Sequence, residues 1–219
     1  MDILKAFCSW SGGKDSCLSL YRTIKRGKFR VSYLLNMLSE DGRVSRSHGI
    51  SSELLKSQAD ALGIPIFQRN TSWESYENEF KSAVREMKKE GIMAGVFGDI
   101  DLQEHREWVE RVCGELDINP ILPLWNESRE KLLKEFISSG FKAIVCSLNC
   151  EFLGEEWLGR EIDENFIKDL KALKEVDLCG EKGEYHTFVF DGPIFKRKVK
   201  FKVGKKIVRD KKYFLELKL

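Results

Sequence analysis

Lys5-Ala6-Phe7-Cys8-Ser9-Trp10-Ser11-Gly12-Gly13-Lys14-Asp15-Ser16 opens as a short apolar run, enters a Ser-Gly-Gly turn and continues straight into an amphipathic helix. The two glycines let backbone N–H groups approach an anion, beside hydroxyls, one ammonium and one carboxylate. These groups stand at or just before a helix N-terminus, whose free N–H groups and positive dipole end favour phosphate. The turn matches neither the Walker pattern G-x-x-x-x-G-K-(S/T) nor the dinucleotide pattern G-x-G-x-x-G. It reads as a phosphate cradle of another kind.

Outward from this loop, β-like runs alternate with segments of helical period, which predicts an α/β fold with a parallel sheet. The first strand spans about residues 3–8. The helix after the loop carries Cys17, Leu18, Leu20, Tyr21 and Ile24 on its inner stripe and stops at Gly27. A near-continuous apolar run over 31–38 predicts a second strand buried on both faces. Ser51 and Ser52 cap a helix closed by Gly63, and a third strand follows over 64–68. Trp73, Tyr76, Phe80, Val84 and Met87 fall at helical spacing and are assigned to the core. A fourth strand over 92–97 ends at Gly98-Asp99, and a helix through Trp108 leads to a fifth segment, Ile121-Leu122-Pro123-Leu124-Trp125. Beyond it the pattern changes to a Gly-rich charged stretch over 151–163, then β-like runs over 186–190, 198–203 and 213–217. The expected architecture is an open parallel sheet of five strands with helices on both faces (residues 1–125), followed by a smaller C-terminal α+β domain (126–219).

The 219 residues, 42% hydrophobic and 33% charged, suit an ordinary soluble globular chain. No apolar run spans a bilayer and no signal peptide is apparent, so a cytoplasmic protein with no membrane partner is expected. Cys8, Cys17, Cys113, Cys146, Cys150 and Cys179 form no C-x-x-C pair, so reduced thiols are expected rather than disulfides or a structural metal. From Pro193 to Leu219 eleven Lys and Arg face only Asp210 and Glu216. Such a tail suits RNA or an acidic protein, but the alternation Val199-Lys200-Phe201-Lys202-Val203 favours lysines that line exposed strands and block edge pairing. No RNA-binding module is recognisable, so nucleic acid is not an expected partner; a homo-oligomer remains open.

Ser11-Gly12-Gly13-Lys14-Asp15-Ser16 resembles the pyrophosphate loop of the N-type ATP pyrophosphatases, whose fold is that of the adenine nucleotide alpha hydrolases. These enzymes cleave ATP between the α and β phosphates to adenylate an acceptor. Nearly the whole chain is similar to their diphthine–ammonia ligase family, through Gly98-Asp99-Ile100, Pro123-Leu124-Trp125, Trp157-Leu158-Gly159-Arg160-Glu161-Ile162-Asp163 and Cys179-Gly180-Glu181-Lys182-Gly183-Glu184-Tyr185-His186-Thr187. The resemblance implies ATP with Mg²⁺, ammonia as the amine, and diphthine on translation elongation factor 2 as the activated carboxylate. Two departures bear on the acceptor. The ligases read Glu-Gly-Gly-Glu-(Phe/Tyr)-Glu-Thr where this chain has Lys182 and His186, and Gly-Ala-(Ile/Leu) where it has Asp99. Both look more like a sister branch linked to cobalamin salvage, with a small-molecule acceptor such as a corrinoid-related carboxylate; a tRNA-modifying member of the superfamily is a third alternative.

On that resemblance, N–H groups of Gly12, Gly13 and Lys14 with the Ser11 and Ser16 hydroxyls hold phosphates. Lys14 neutralises the leaving pyrophosphate, and Asp15 orders Mg²⁺. Asn36 and Met37 end the second strand beside the adenine. His48 stands either at the α-phosphate or on a surface loop, and Gly98 and Asp99 close the site, Asp99 towards metal or acceptor. Glu181, Glu184 and His186 are the expected proton acceptors for the amine, His186 by virtue of a pKa near neutrality. Trp157, Arg160, Asp163 and Tyr185 are the expected acceptor-binding residues. Cys179 is read as structural rather than as a nucleophile.

Overall fold

The computed structural model describes residues 3–219. Its elements in chain order are β1 (Leu4–Ser9), α1 (Lys14–Arg26), β2 (Phe29–Leu38), α2 (Ser52–Leu62), β3 (Ile66–Asn70), α3 (Tyr76–Lys88), β4 (Ile92–Val96), α4 (Gln103–Glu115), β5 (Asn119–Ile121), α5 (Arg129–Ser138), β6 (Lys142–Asn149), α6 (Glu164–Ala172), β7 (Tyr185–Asp191), β8 (Lys202–Arg209) and β9 (Lys212–Lys218). β1 to β5 form the expected parallel sheet, in the order β3-β2-β1-β4-β5. β6 to β9 form a separate antiparallel sheet, in the order β7-β6-β9-β8. The order of the first sheet reverses at β1, so the connections after the paired strands β1 and β4 leave to opposite faces and open a crevice at their carboxyl ends.

The two faces of the parallel sheet bury separate apolar clusters. On one face Phe7, Leu35 and Met37 pack with Phe80, Val84 and Met87 of α3 and Val109, Val112 and Cys113 of α4. On the other, Ala6, Cys8 and Leu34 join α1, α2 and the inner side of the second sheet, including Val189 and Phe190, in one continuous core. Helix ends follow local chemistry: Ser51 Oγ accepts from Leu54 N at 3.2 Å at the start of α2, and Gly27 and Gly63 close α1 and α2 in the left-handed conformation.

Several local expectations change. Trp73 lies before α3 and is 73% exposed, so only Phe80, Val84 and Met87 of that row are fully buried. Ile24 is likewise exposed, in the last turn of α1. The inner half of β2, Leu34–Leu38, is buried, but its first half is not. The segment 121–125 joins the sheet only through Ile121, because the chain turns at once, with Trp125 N–H donating to Leu122 O. Residues 198–201 pair only where Val199 N–H donates to Phe190 O at 2.8 Å; the strand begins at Lys202 and is exposed throughout as the free edge of the second sheet. Among the described residues no helix is long and apolar enough to cross a membrane.

One buried amide stitches the two sheets together. Gln58 on α2 is fully buried; its Oε1 accepts from the Trp10 indole at 2.8 Å, and its Nε2 donates to Gly12 O at 3.0 Å and Val189 O at 2.6 Å. Replacing it with alanine strands an indole N–H and a carbonyl in an apolar setting, where each unsatisfied group costs about 1–3 kcal/mol. Gln58→Ala is therefore expected to lower unfolding stability in urea by about 2–5 kcal/mol, whereas a change at exposed Lys56 leaves it within experimental error.

Candidate active site

The loop between β1 and α1 adopts a shape that only its own residues allow. Gly12 has φ +80°, and a Cβ there would lie 2.5 Å from Leu55 Cδ2. A Cβ on Gly13 would lie 2.6 Å from His48 Nε2 and 3.2 Å from Thr187 O. The loop is thus pressed between α2, the segment after β2, and β7. It is also internally bonded: Gly13 N–H donates to Ser11 Oγ at 3.2 Å, Ser16 Oγ donates to Gly13 O at 3.0 Å, and the two serine hydroxyls lie 3.2 Å apart. Lys14 N–H, expected to face phosphate, donates instead to Thr187 Oγ1 at 3.0 Å. A residue from β7 therefore supplies the cap that α1 lacks in its own sequence.

Above the loop opens a cavity of about 540 Å³. Ser11, Lys14, Asp15 and Ser16 line its floor, Asn36 and Met37 one side, and Gly98 and Asp99 the other, with Glu181, Tyr185 and His186 opposite. Lys14 Nζ donates to Asp15 Oδ2 at 2.7 Å and to Cys179 O, and lies 5.3 Å from the centre of the Tyr185 ring. Burial is the largest influence and opposes its charge, yet Asp15, with Tyr185, Cys179 and Glu181 behind it, together outweigh burial and hold the ammonium above its ordinary pKa. Burial pushes Asp15 up against the pull of Lys14, with Asp99 adding a like charge. Glu181 is raised to about 7, by burial first and then by Asp15, against the pull of Lys14. A carboxylate poised near neutrality beside a cationic lysine suits proton transfer.

The two histidine rings of this wall lie against each other, His48 beside His186, tilted by 39° with centroids 4.4 Å apart. Burial depresses both, His186 to about 4, so the near-neutral titration expected of His186 does not hold and it stands as a neutral imidazole. His48 receives a contact from Ser47 Oγ at Nδ1, 2.9 Å, which leaves Nε2 turned over Gly13. Across the cavity His105 Nδ1 pairs with Asp99 Oδ1 at 3.0 Å, and that bond holds the imidazolium above its usual range.

Four expected site residues lie elsewhere. Glu184 is fully buried, and its carboxylate accepts from Asp177 N at 3.1 Å and Lys182 N at 3.0 Å; it builds the turn that presents Glu181 instead of facing the cavity. Asp163 caps α6 through Phe166 N at 2.8 Å. Arg160 pairs with Asp169 at 2.6 Å and stacks on Trp157, which packs edge-on against Phe166. The Trp157–Asp163 segment runs along β6, with Val145 N–H donating to Arg160 O and Ile162 N–H to Ala143 O, so its side chains anchor α6 to the second sheet. Cys179 is buried, and burial pushes its thiol up to about 12. Conversely, Arg46, Trp73, Tyr76, His105 and Trp108 line the cavity without having been singled out for it. Helical spacing drew Trp73 and Tyr76 into the core; Ser72 and Ser75, a cap-like pair that bond each other before α3, mark where that row leaves the helix.

A family model described as the diphthamide synthase N-terminal domain matches residues 4–120, and one described as the diphthamide synthase C-terminal domain matches residues 128–218. A diphthine–ammonia ligase of Rattus norvegicus is 30% identical over 216 residues, covering 86% of this chain and 79% of the rat protein. That of Homo sapiens is 29% identical with the same coverage. A solved structure of a predicted subunit of a tRNA methyltransferase from Methanocaldococcus jannaschii aligns with 90% of this chain and 100% of its own, at 17% identity and a TM-score of 0.44.

The coupling among the cavity carboxylates is directly measurable. With Glu181 at about 7, Asp15→Asn removes a like charge and is expected to lower the Glu181 pKa, read by carboxyl ¹³C shifts across a pH titration. An unchanged midpoint would mean that the two carboxylates do not sense each other.

Proposed function

This chain belongs to the diphthamide synthase family, and on that premise we propose that it is an ATP-dependent ligase forming AMP and pyrophosphate, which amidates a carboxylate with ammonia. The acceptor of this reading is diphthine on translation elongation factor 2, the substrate in the name of the relatives. The observation that carries it is the ion pair of buried Lys14 with half-buried Asp15 on the phosphate loop, facing Glu181 across one cavity.

In the first step an acceptor carboxylate oxygen attacks the α-phosphorus of ATP. The bond from that phosphorus to the bridging oxygen breaks, and pyrophosphate leaves with the electron pair. Lys14, held cationic, offsets the charge that grows on the leaving group, an interaction worth several kcal/mol in sites of this kind. His48, whose Nε2 lies over Gly13, is the imidazole assigned to the α-phosphate in this reading. In the second step ammonia attacks the acyl carbon, AMP leaves, and Glu181 takes the proton released on forming the amide. Glu181 replaces His186 in that part, because an imidazole with a pKa of about 4 is too weak a base near neutrality.

Mg²⁺ binds through one or two carboxylates together with phosphate oxygens and waters, and Asp15 and Asp99, on the same cavity, fit that donor set. Bound there, it would screen the charge of the triphosphate. A second reading, the same chemistry on a small-molecule acceptor, draws support from Asp99, whose pairing with His105 makes one wall charged where the ligase motif has alanine.

With ATP, ammonia and unamidated elongation factor 2, the products are expected to be AMP, pyrophosphate and a protein changed in intact mass. ADP among the products would overturn the ligase reading, whereas an unchanged mass would move the acceptor to the small-molecule class. Asp15→Ala is expected to abolish turnover with an intact circular-dichroism spectrum. The rate of amidation should rise with pH through about 7 as Glu181 ionises, and Glu181→Gln should flatten that limb.

A further inference from the structure

The cavity has a wall that the proposed chemistry leaves without a task. Trp73, in the loop after β3, is 73% exposed yet lines the cavity. Its position is set by a hydroxyl network: Ser72 N–H donates to Ser75 Oγ and Ser75 N–H to Ser72 Oγ, both at 3.0 Å, while Thr71 Oγ1 and Ser75 Oγ lie 3.2 Å apart. The Arg46 guanidinium lies 4.5 Å from the centre of the Trp73 ring and donates from Nη1 to Thr71 O at 2.6 Å. Its buried Nε–H has no acceptor among the described residues. A large exposed indole covered on one side by a guanidinium only partly bonded presents a flat, cationic surface to the cavity, and such surfaces stack on planar π-systems.

Position in the sheet selects the ligand. β1 delivers the phosphate loop, β2 lies beside it, and β3, next again, delivers Trp73. Two strand spacings amount to roughly 10 Å, a span that suits the distance between the phosphates and the base of a nucleotide. Asp99, which follows β4 on the other side of β1, and its partner His105 lie in the opposite direction. The backbone at the end of β2 offers less than the sequence suggests, since Met37 O already accepts from Arg46 N–H at 3.1 Å. Asn36 is likewise engaged, donating to Trp10 O at 2.8 Å and accepting from Gln68 at 3.3 Å.

We infer that Arg46 and Trp73 together form the platform on which the purine base of the nucleotide stacks, so that base recognition rests on π-stacking more than on hydrogen bonds from β2. This rests on the ATP reading of the phosphate loop. Base stacking on an aromatic side chain is worth about 1–3 kcal/mol, so loss of the platform should weaken ATP about 5- to 150-fold. It should leave inorganic tripolyphosphate, which has no base, unaffected.

The test is calorimetric binding of ATP and of tripolyphosphate to the wild type, Trp73→Ala, Trp73→Phe and Arg46→Met, with fluorescence of the wild type recorded alongside. Trp73 is exposed, so its replacement should not impair folding; circular dichroism of each variant confirms it. The expected result is selective loss of ATP affinity in Trp73→Ala and Arg46→Met, partial recovery in Trp73→Phe, and quenching of wild-type fluorescence by ATP that is absent from Trp73→Ala. Unchanged ATP affinity in both variants, or equal loss of ATP and tripolyphosphate, overturns the platform while leaving the phosphate loop in place. Failure of the wild type to bind either compound overturns the ATP reading, and the platform with it.

Discussion

The carbonyl of Gly12 holds this molecule together. It accepts one hydrogen bond from Val189 N–H in the second sheet, at 3.0 Å, and another from Gln58 in α2, also at 3.0 Å. With Thr187 capping α1 from the same strand, the phosphate loop becomes a joint between the two sheets. That constraint explains the glycines: the loop is pressed between α2, the segment after β2, and β7, and side chains at 12 or 13 would collide with Leu55 or His48. It also explains why the cavity has a second wall at all. β7 is drawn to the loop by these bonds, and the turn ahead of it carries Glu181 over Lys14.

Within the cavity the dominant physics is the crowding of carboxylates around one lysine. Asp15, Asp99 and Glu181 each disfavour the charge of a neighbour, and the ammonium of Lys14 partly offsets them. The result separates the roles: one carboxylate pairs with the lysine, one is held by a histidine, and the third is left near neutrality. Separation of nearby titrating groups is the usual route by which one site supplies both a permanent charge and a proton acceptor.

The parallel sheet was legible because its strands are short apolar runs punctuated by glycine and because a Ser-Gly-Gly turn between strand and helix has a single physical purpose. Lys14, Asp15, His48, Asp99 and Glu181 were legible as groups near strand ends or in motifs. What the sequence hid was which way motif residues point. Trp157, Arg160 and Asp163 form a recognisable string, but the string serves a helix cap and an aromatic stack, and such packing is written in tertiary contacts that no spacing reveals. Glu184 sits three residues from Glu181 and has the opposite fate, since its carboxylate satisfies two backbone N–H groups inside a turn. Trp73 failed in the other direction: it fell in register with a helical stripe that begins only three residues later.

Lys14 has one further property, through its bond to the carbonyl of Cys179. That carbonyl belongs to the turn that presents Glu181, so the ammonium is shared between the floor of the cavity and its far wall. A triphosphate that draws the ammonium towards itself takes it from Cys179, and the turn must find a new balance. By thermodynamic linkage the exchange works equally in reverse: an acceptor that holds the turn in its lysine-free arrangement tightens the nucleotide by the same factor as the nucleotide tightens the acceptor. On the ligase reading, a single shared proton donor would thereby couple the affinities of the two substrates.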